Sequence, residues 1–260
     1  MRRISELFLS TAAVALAAGA FLASTDAHAQ LLSSTAAGGI ETVVVTGTAF
    51  DPENAPAKAR LETMQPQTII GKSYIEDSVS ETADFTTILA IAPGLTGFDT
   101  NGPGFSDNGV KNTMRGLPDG SYGMSYDGIP FGDTNGPSHH SQSYFPGSTI
   151  GSIEVDRGPG NAGSMGASTY GGSINMFSEV LTSNARGKVS ATGGSWGIAQ
   201  TVGNYQTGDF TIGGINNRAM INLQYSTSDG YLTGQSSAAK NITIKTQTEL
   251  APGWNLTLFS

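Results

Sequence analysis

The stretch Ile153-Glu154-Val155-Asp156-Arg157-Gly158-Pro159 combines an apolar strand pattern with charged residues and an abrupt end. Ile153 to Asp156 predicts a short strand, and Gly158-Pro159 ends it, because proline has no N–H for strand pairing. Glu154 and Arg157 place charges inside this otherwise apolar phrase. Buried charges persist only when they are paired and hydrogen-bonded. The stretch therefore predicts either charges with a structural purpose or ordinary surface charges beside a turn.

Four further phrases flank this stretch, and each contains glycine or proline at a predicted turn. Three precede it, Thr87-Ile88-Leu89-Ala90-Ile91-Ala92-Pro93-Gly94-Leu95, Thr113-Met114-Arg115-Gly116 and Tyr126-Asp127-Gly128-Ile129-Pro130, and one follows it, Tyr170-Gly171-Gly172-Ser173-Ile174-Asn175. Glycine suits tight turns and close contacts between backbones. We expect such turns or contacts at the glycines of all these phrases.

In this order, the five phrases resemble the plug domain of TonB-dependent outer-membrane receptors. They correspond to the family phrases I-R-G, D-G-V-P, I-E-V-x-R-G-P and G-G-x-I-N, after a helix that ends in L-x-x-x-P-G-V. The resemblance covers roughly residues 41–178. Asp156 departs from it, since the family more often has an apolar residue there, and this leaves the register of that strand in question. The resemblance implies that the charged residues Arg115, Glu154 and Arg157 help bind the plug to itself and to a barrel wall. The residues of the plug's structural motif that it indicates are Arg115, Gly116, Asp127, Gly128, Glu154, Arg157, Gly158, Pro159, Gly171 and Gly172.

The N-terminus has the order of a secretory signal peptide. Arg2 and Arg3 precede an apolar stretch from Leu7 to Ala23, and Ala27-His28-Ala29 supplies small residues before a cut at Gln30. A membrane anchor is the alternative, but the apolar stretch is short and has no stop-transfer charges behind it. Residues 1–29 therefore predict export.

Residues 30–62 predict a flexible segment with a β-branched run, Glu41-Thr42-Val43-Val44-Val45-Thr46-Gly47, at its centre. A small, polar tail precedes this run, and a linker with Pro52 and Pro56 follows it. The run resembles a TonB box, which would add as a strand to a sheet edge of the periplasmic domain of TonB. The alternative is that residues 41–47 form the first strand of the plug's own sheet.

Residues 63–183 predict the plug domain, an α+β unit with a small mixed sheet and short helices. The expected strands are Gln67 to Ile70, Thr113 to Arg115, Ser125-Tyr126 and Ile153 to Asp156. A helix is expected to start within Ser80 to Asp84, since Phe85, Ile88 and Leu89 fall on one helical face. Pro93-Gly94 ends that helix.

Residues 184–260 predict the first antiparallel strands of a transmembrane β-barrel that is truncated. Apolar and polar residues alternate in Arg218 to Ser228, in Asn241 to Leu250 and from Trp254 onward, with turn signals between them. Segments of about ten alternating residues are typical of barrel strands. A soluble antiparallel sheet is the alternative, because periodicity alone does not distinguish the two. A plugged barrel of about 22 strands needs several hundred more residues, so the chain is interpreted as an N-terminal fragment.

Composition excludes several functions. The net charge is −8 and no Lys/Arg cluster follows the N-terminus, so nucleic-acid binding is not expected. The chain has no Cys, which excludes disulfides and thiolate metal sites. No His-Glu-x-x-His spacing, nucleophile elbow or phosphate-binding loop occurs, so we expect neither an enzyme nor a cofactor or structural metal.

Two loops, Phe98 to Gly109 and Phe131 to Tyr144, are expected to face outward and contact the ligand, by analogy with the family. Adjacent His139 and His140 could touch a metal chelate, although such pairs in Gly/Ser loops are more often solvated. The mixture of aromatic and polar groups suits a ferric siderophore, a vitamin or a glycan and does not choose among them. The candidate residues are Phe98, Asp99, Asn101, Phe105, Asp107, Asp133, Asn135, His139, His140 and Tyr144.

The resemblance implies a TonB-dependent receptor that imports a scarce nutrient across the outer membrane. Its expected partners are the periplasmic domain of TonB, outer-membrane lipid and a small-molecule or glycan ligand. Two alternatives belong to other classes. One is a secreted surface β-protein or adhesin without transport, which would need no TonB box. The other is a small passive barrel, which would need no plug phrases.

Overall fold

The computed structural model describes residues 65–97, 112–132, 139, 145–159 and 170–260. All of them belong to one of the two units of the chain, Gly47–Ser260. The predicted signal peptide (residues 1–29) and the predicted TonB box (residues 41–47) lie outside the described residues.

The N-terminal part forms a five-stranded mixed sheet with the strand order β1-β6-β7-β4-β5. Strands β4 and β7 are parallel, and the other neighbouring pairs are antiparallel. A separate antiparallel pair consists of β2 and β3. The bounds are β1 Gln67–Ile70, β2 Leu95–Thr96, β3 Thr113–Met114, β4 Gly123–Tyr126, β5 Ile129–Pro130, β6 Ile150–Asp156 and β7 Ser173–Ser178. We call this part the mixed domain.

Two short helices accompany the mixed sheet, α1 Lys72–Ser78 and α2 Phe85–Ile88, and α2 continues into a 3-10 turn, Leu89–Ile91. Helix α2 begins where the sequence predicts it, since the Asp84 side chain accepts a hydrogen bond from the Thr87 amide at 3.1 Å. Helix α1 is not predicted. It has seven residues and begins after Gly71, which offers no side-chain cap.

The core of the mixed domain is aliphatic and methionine-rich. Its most deeply buried side chains come from β1, α2, β3, β4, β6 and β7, and they include Ile70, Ile88, Met114, Met124, Ile150, Ile153, Ile174 and Met176. Burial of each such side chain stabilises the fold by about 1.5–3 kcal/mol. The predicted helical face of Phe85, Ile88 and Leu89 is part of this core.

The C-terminal part forms a six-stranded antiparallel sheet, which we call the wall sheet. Its strand order is β13-β12-β11-β9-β8, and β10 pairs with β11. The bounds are β8 Arg186–Gly193, β9 Ala199–Gln206, β10 Phe210–Ile212, β11 Ile215–Ser228, β12 Ser237–Ala251 and β13 Trp254–Phe259. The three alternating segments lie within β11, β12 and β13, so the predicted fold class is confirmed: a mixed α+β domain followed by antiparallel strands of an open sheet.

The wall sheet buries a largely polar face and exposes an apolar one, whereas a soluble sheet buries its apolar face. The face toward the mixed domain buries Val202 and Met220 and a larger number of polar side chains, which are Gln200, Gln206, Asn222, Ser226, Ser228 and Thr243. The other face exposes apolar side chains, among them Val189, Tyr205, Leu223, Ile242 and Leu258. No helix in the described ranges is both long and apolar enough to cross a membrane.

Candidate functional site

The main contact between the mixed domain and the wall sheet lies at the end of β7. Lys245, on β12, donates from Nζ to Ser178 Oγ at 2.6 Å and to the Glu179 carbonyl at 3.0 Å. Ser178 in turn donates from Oγ to Asp127 Oδ2 at 2.5 Å and from its amide to Asp127 Oδ1 at 2.8 Å. A continuous set of hydrogen bonds therefore joins the β4–β5 turn, the end of β7 and the wall.

Glu179 extends this contact to two other wall strands. Its carboxylate pairs with Arg186 of β8 and accepts a hydrogen bond from Asn204 Nδ2 of β9 at 3.0 Å. The residue is only 7% exposed, so this ion pair is shielded from solvent on the carboxylate side. Charge pairing is what permits a carboxylate to remain buried at this position.

Helix α1 and the segment after it also contact the wall, through the more exposed Lys188 and the buried Gln200. Lys188 Nζ lies 3.5 Å from a Glu76 oxygen and 3.3 Å from a Glu81 oxygen. Gln200 donates to the Glu81 carbonyl at 2.6 Å. The interface between the mixed domain and the wall is thus largely one of hydrogen bonds and ion pairs.

A cleft lies within this interface, between α1 and strands β8, β9 and β11. Its lining includes Glu179, Lys188 and Asn222. Asn222 Oδ1 accepts from Ser148 Oγ at 3.2 Å, whereas its buried Nδ2 has no partner among the described residues. A buried N–H group without a protein partner favours the binding of a water molecule in the cleft.

The two dipeptides Arg115-Gly116 and Asp127-Gly128 occupy left-handed hairpin turns. Their φ angles are 55° and 79° in the first turn and 47° and 81° in the second. Two residues with positive φ between paired strands match the right-handed twist of a hairpin. Asp tolerates this region better than most residues, and the bonds from Ser178 hold its carboxylate in place.

The charged residues around β6 connect segments that are distant in sequence. Arg115 donates to the Arg157 carbonyl at 2.8 Å, and Arg157 donates to the Pro93 carbonyl at 3.1 Å. Gln67 donates to Glu154 at 2.7 Å and to Asp156 at 2.9 Å. Asp156 keeps its antiparallel register opposite Gln67, so its departure from the family pattern does not disturb the strand.

The remaining phrase residues lie where backbones approach closely. A Cβ on Gly171 would lie 2.6 Å from the Ser121 carbonyl oxygen, and one on Gly172 would lie 2.3 Å from that of Asp156. Gly158 packs against the side chain of Gln65, which donates to the Pro159 carbonyl at 2.6 Å. The structure thus places Glu154 inside β6 and the other nine phrase residues in turns or beside strand ends of the mixed domain, while any role in transport stays a prediction.

Of the candidate ligand residues, only His139 is described. It is 7% exposed, and its Nδ1 lies 2.6 Å from Asp119 Oδ1. The ring stacks on Tyr122 at 5.9 Å and meets the edge of Phe131 at 5.5 Å. The expectation of a solvated histidine is therefore wrong for His139, because Asp119 and two aromatic rings enclose it. The other nine, Phe98, Asp99, Asn101, Phe105, Asp107, Asp133, Asn135, His140 and Tyr144, lie outside the described residues.

Two buried tyrosines serve as hydrogen-bond donors in this region. Tyr122 donates to the Asn112 carbonyl at 2.6 Å, and Tyr126 donates to the Thr149 carbonyl at 3.2 Å. Burial raises the pKa of the Tyr122 phenol, and Asp119 raises it further. Burial likewise raises the pKa of the Tyr126 phenol. Both phenols are therefore protonated donors at neutral pH.

Sequence reasoning missed Asp119, Ser178, Glu179 and Lys245. The contact of Lys245 could have been predicted in part. Lys245 is one of the alternating polar residues of the segment 241–250, and these residues face the mixed domain. In the described ranges, no group of three or more His, Asp or Glu side chains is arranged to hold a metal ion.

The protein-family model for the TonB-dependent receptor plug domain matches residues 59–173 of this chain. No curated protein matches the chain in sequence. Among solved structures, the chain is similar to the pyoverdine outer membrane receptor FpvA from Pseudomonas aeruginosa PAO1, with 19% identity and a TM-score of 0.57 over 76% of this chain and 27% of that one. It is also similar to the alcaligin outer membrane receptor FauA from Bordetella pertussis, with 19% identity and a TM-score of 0.53 over 74% of this chain and 30% of that one.

A third similar structure is the ferric yersiniabactin uptake receptor FyuA from Yersinia pestis, with 18% identity and a TM-score of 0.54 over 71% of this chain and 29% of that one. At these identities the similarity concerns the fold. The chain spans less than a third of the length of each of these three receptors.

Proposed function

We propose that this chain, whose residues 59–173 match the plug domain of the TonB-dependent receptors, belongs to that family and acts in the import of a scarce nutrient across the outer membrane. The plug would close the pore, and the wall sheet would form part of the surrounding barrel. The substrate class we propose is a ferric siderophore, with a vitamin or a glycan as the other candidates. We place the ferric siderophore first because three structurally similar receptors are named for siderophores.

The observation that carries the proposal is the polarity of the wall sheet. Leu223 and Ile242 are 47% and 69% exposed, while Asn222 and Thr243, their neighbours in sequence, are buried against the plug. A soluble sheet buries its apolar face, whereas a transmembrane barrel turns it to lipid and keeps a polar interior. Outer-membrane lipid is thus the proposed partner of the apolar face.

The polar interface between plug and wall supports a movable plug. Apart from the ring contact of Phe259 with Tyr126, the contacts described above are hydrogen bonds and ion pairs. Water can replace each of these polar contacts at a small net cost as the plug shifts. An apolar interface of the same extent would oppose such a shift through the hydrophobic effect.

We propose that residues 41–47 are the TonB box and that the periplasmic domain of TonB supplies energy through this segment. A β-branched run can add as a strand to a partner sheet through its backbone hydrogen bonds. Residues 1–29 are the proposed export signal, and cleavage near Gln30 is expected. N-terminal sequencing of outer-membrane material tests the signal, since an intact Met1 would contradict it.

The decisive experiment compares Val44→Pro with Val44→Ala in the full-length receptor. Proline has no N–H and fixes its own φ, so it blocks strand addition where that donor is used. Val44→Pro should abolish energy-dependent uptake of radiolabelled ferric siderophores and leave their binding to whole cells unchanged. Val44→Ala should have a much milder effect, because its backbone donor remains.

Receptor amounts in the outer membrane must match among the variants. If the Val44→Pro receptor is present, binds siderophore and accumulates it at the normal rate, residues 41–47 are not the coupling segment.

A further inference from the structure

We propose that Lys245 and Phe259 of the wall form a seat for the plug turn Tyr126-Asp127-Gly128 and thereby position Phe131 and His139. Neither wall residue would contact the ligand, so both would be positioning residues. The inference rests on the proposed function, since the position of His139 affects uptake only if ligand is bound near it.

The two wall residues form one patch. Lys245 on β12 and Phe259 on β13 are directly opposed in the antiparallel register. Directly opposed side chains lie on the same face of a sheet, about 4.5–5.5 Å apart at Cβ. Both are partly buried, and the plug lies against this face.

Each member of this patch engages one of two consecutive plug residues. The Phe259 ring lies 5.0 Å from the Tyr126 ring. Lys245 reaches Asp127 through Ser178, which accepts from the ammonium group at 2.6 Å and donates to Asp127 at 2.5 Å. An aromatic contact and a charge-assisted hydrogen-bond chain together define both the place and the orientation of the turn.

The turn needs such support because its backbone is unfavourable. Asp127 has a φ of 47°, in the left-handed region that L-residues adopt at an energetic cost. Loss of the two bonds from Ser178 to its carboxylate would free the turn to relax. The chain immediately after it forms β5 and leads to Phe131.

From the turn, ring contacts continue without a break to His139. The Tyr126 ring stacks on Phe145 at 4.0 Å, and Phe145 meets Phe131 at 4.9 Å. Phe131 meets His139 at 5.5 Å, and Asp119 fixes that histidine at 2.6 Å. Because close-packed side chains transmit displacement rather than absorb it, a shift of Tyr126 should reach His139.

The test uses the full-length receptor in isolated outer membranes and diethyl pyrocarbonate as the probe of histidine accessibility. Lys245→Met removes the charge and the donor but keeps the apolar stem. It should raise the labelling rate of His139 severalfold, and Lys245→Arg should restore the wild-type rate. Phe259→Leu should raise the rate as well. Mass-spectrometric fragment ions distinguish His139 from His140.

The matched control is Lys240→Met on the same strand. Lys240 is exposed and lies over the Tyr225 ring at 5.9 Å, away from the seat, so its loss should leave His139 labelling unchanged. Hydrogen exchange of β1 provides an internal control, because general loosening of the plug would accelerate exchange there too. If Lys245→Met fails to assemble, Lys245→Gln and Phe259→Leu carry the same comparison.

Unchanged His139 labelling in assembled Lys245→Met and Phe259→Leu receptors would overturn the inference, as would an equal rise in Lys240→Met. Faster exchange of β1 that accompanies the labelling would also overturn it. The labelling requires no transport. A receptor that imports nothing but shows the expected labelling would therefore contradict the proposed function and leave the seat established.

Discussion

Asn222 and Leu223 are consecutive on β11, yet the amide side chain is fully buried and the leucine is 47% exposed. Asn222 meets Ser148 of the plug, whereas Leu223 belongs to the apolar outer face. The same inversion recurs at Thr243 and Ile242 on β12, so it is a property of the sheet rather than of one position.

Leu223→Arg tests whether this outer face contacts lipid. An arginine on the lipid face of a barrel costs about 2–4 kcal/mol near the bilayer midplane. We expect a large loss of folded receptor in the outer membrane, measured by the heat-dependent gel shift of folded barrels. Leu223→Phe keeps the face apolar and should assemble normally. Equal amounts of both variants would show that Leu223 does not face lipid.

Glu179 and Lys188 offer a comparison of a shielded and an exposed ion pair. Glu179→Gln weakens the pairing with Arg186 and the hydrogen bond from Asn204 inside the interface, so it should cost about 1–3 kcal/mol. Lys188→Met removes a pair that water already screens, and its cost should stay below about 1 kcal/mol. Thermal unfolding in detergent, followed by near-ultraviolet circular dichroism, measures both. Added salt should reduce only the Lys188 contribution, and the reverse ranking would contradict this account of the interface.

Substitutions at Gly128 and Gly172 distinguish the cost of a strained backbone from the cost of a steric clash. Gly128 has a φ of 81° and no atom near its missing Cβ, so Gly128→Ala should cost only the left-handed penalty of about 1–2 kcal/mol. At Gly172 the φ is 130° and the Asp156 carbonyl would lie 2.3 Å from a Cβ. Gly172→Ala should therefore prevent normal plug packing. Limited proteolysis of assembled receptors compares them, and a Gly172→Ala plug as resistant as wild type would exclude the close contact.

The tyrosines predict a loss of stability at alkaline pH. The pKa values of Tyr122 and Tyr126 are raised in the folded state above the usual value of 10.0. Above that pH the unfolded phenols ionise while the folded ones keep their protons, so stability falls as pH rises. Unfolding midpoints between about pH 8 and 11 should decline less steeply in Tyr122→Phe than in wild type. An unchanged slope would show that Tyr122 does not contribute.

The strand pattern was predictable from sequence, but the direction of its polarity was not. Alternation in residues 218–228 defines a strand with two different faces, and it is identical for a soluble sheet and a barrel. Only the position of the plug shows that Asn222 is inside. Helix α1 escaped prediction because a seven-residue helix without a capping side chain carries almost no periodic signal.

The candidate site was less predictable because its contacts join distant parts of the chain. Asp127 bonds directly to Ser178, 51 positions further along the sequence, and is linked through Ser178 to Lys245, 118 positions further along. The parallel pairing of β4 with β7 creates the first of these contacts, and no local pattern encodes that pairing. The dipeptide Asp127-Gly128 predicts a turn, but nothing in its neighbourhood indicates what its carboxylate binds.

The polar interface between plug and wall also affects how the protein avoids aggregation before it assembles. Surfaces rich in Gln, Asn, Ser and charged groups stay hydrated when they are separated. A plug outside its barrel would therefore expose little apolar surface at this interface. Aggregation before assembly would then be a hazard mainly of the wall strands, because the apolar side chains of their outer face are exposed. A chaperone that binds the chain before assembly would accordingly need to shield the outer face of the wall sheet far more than the plug.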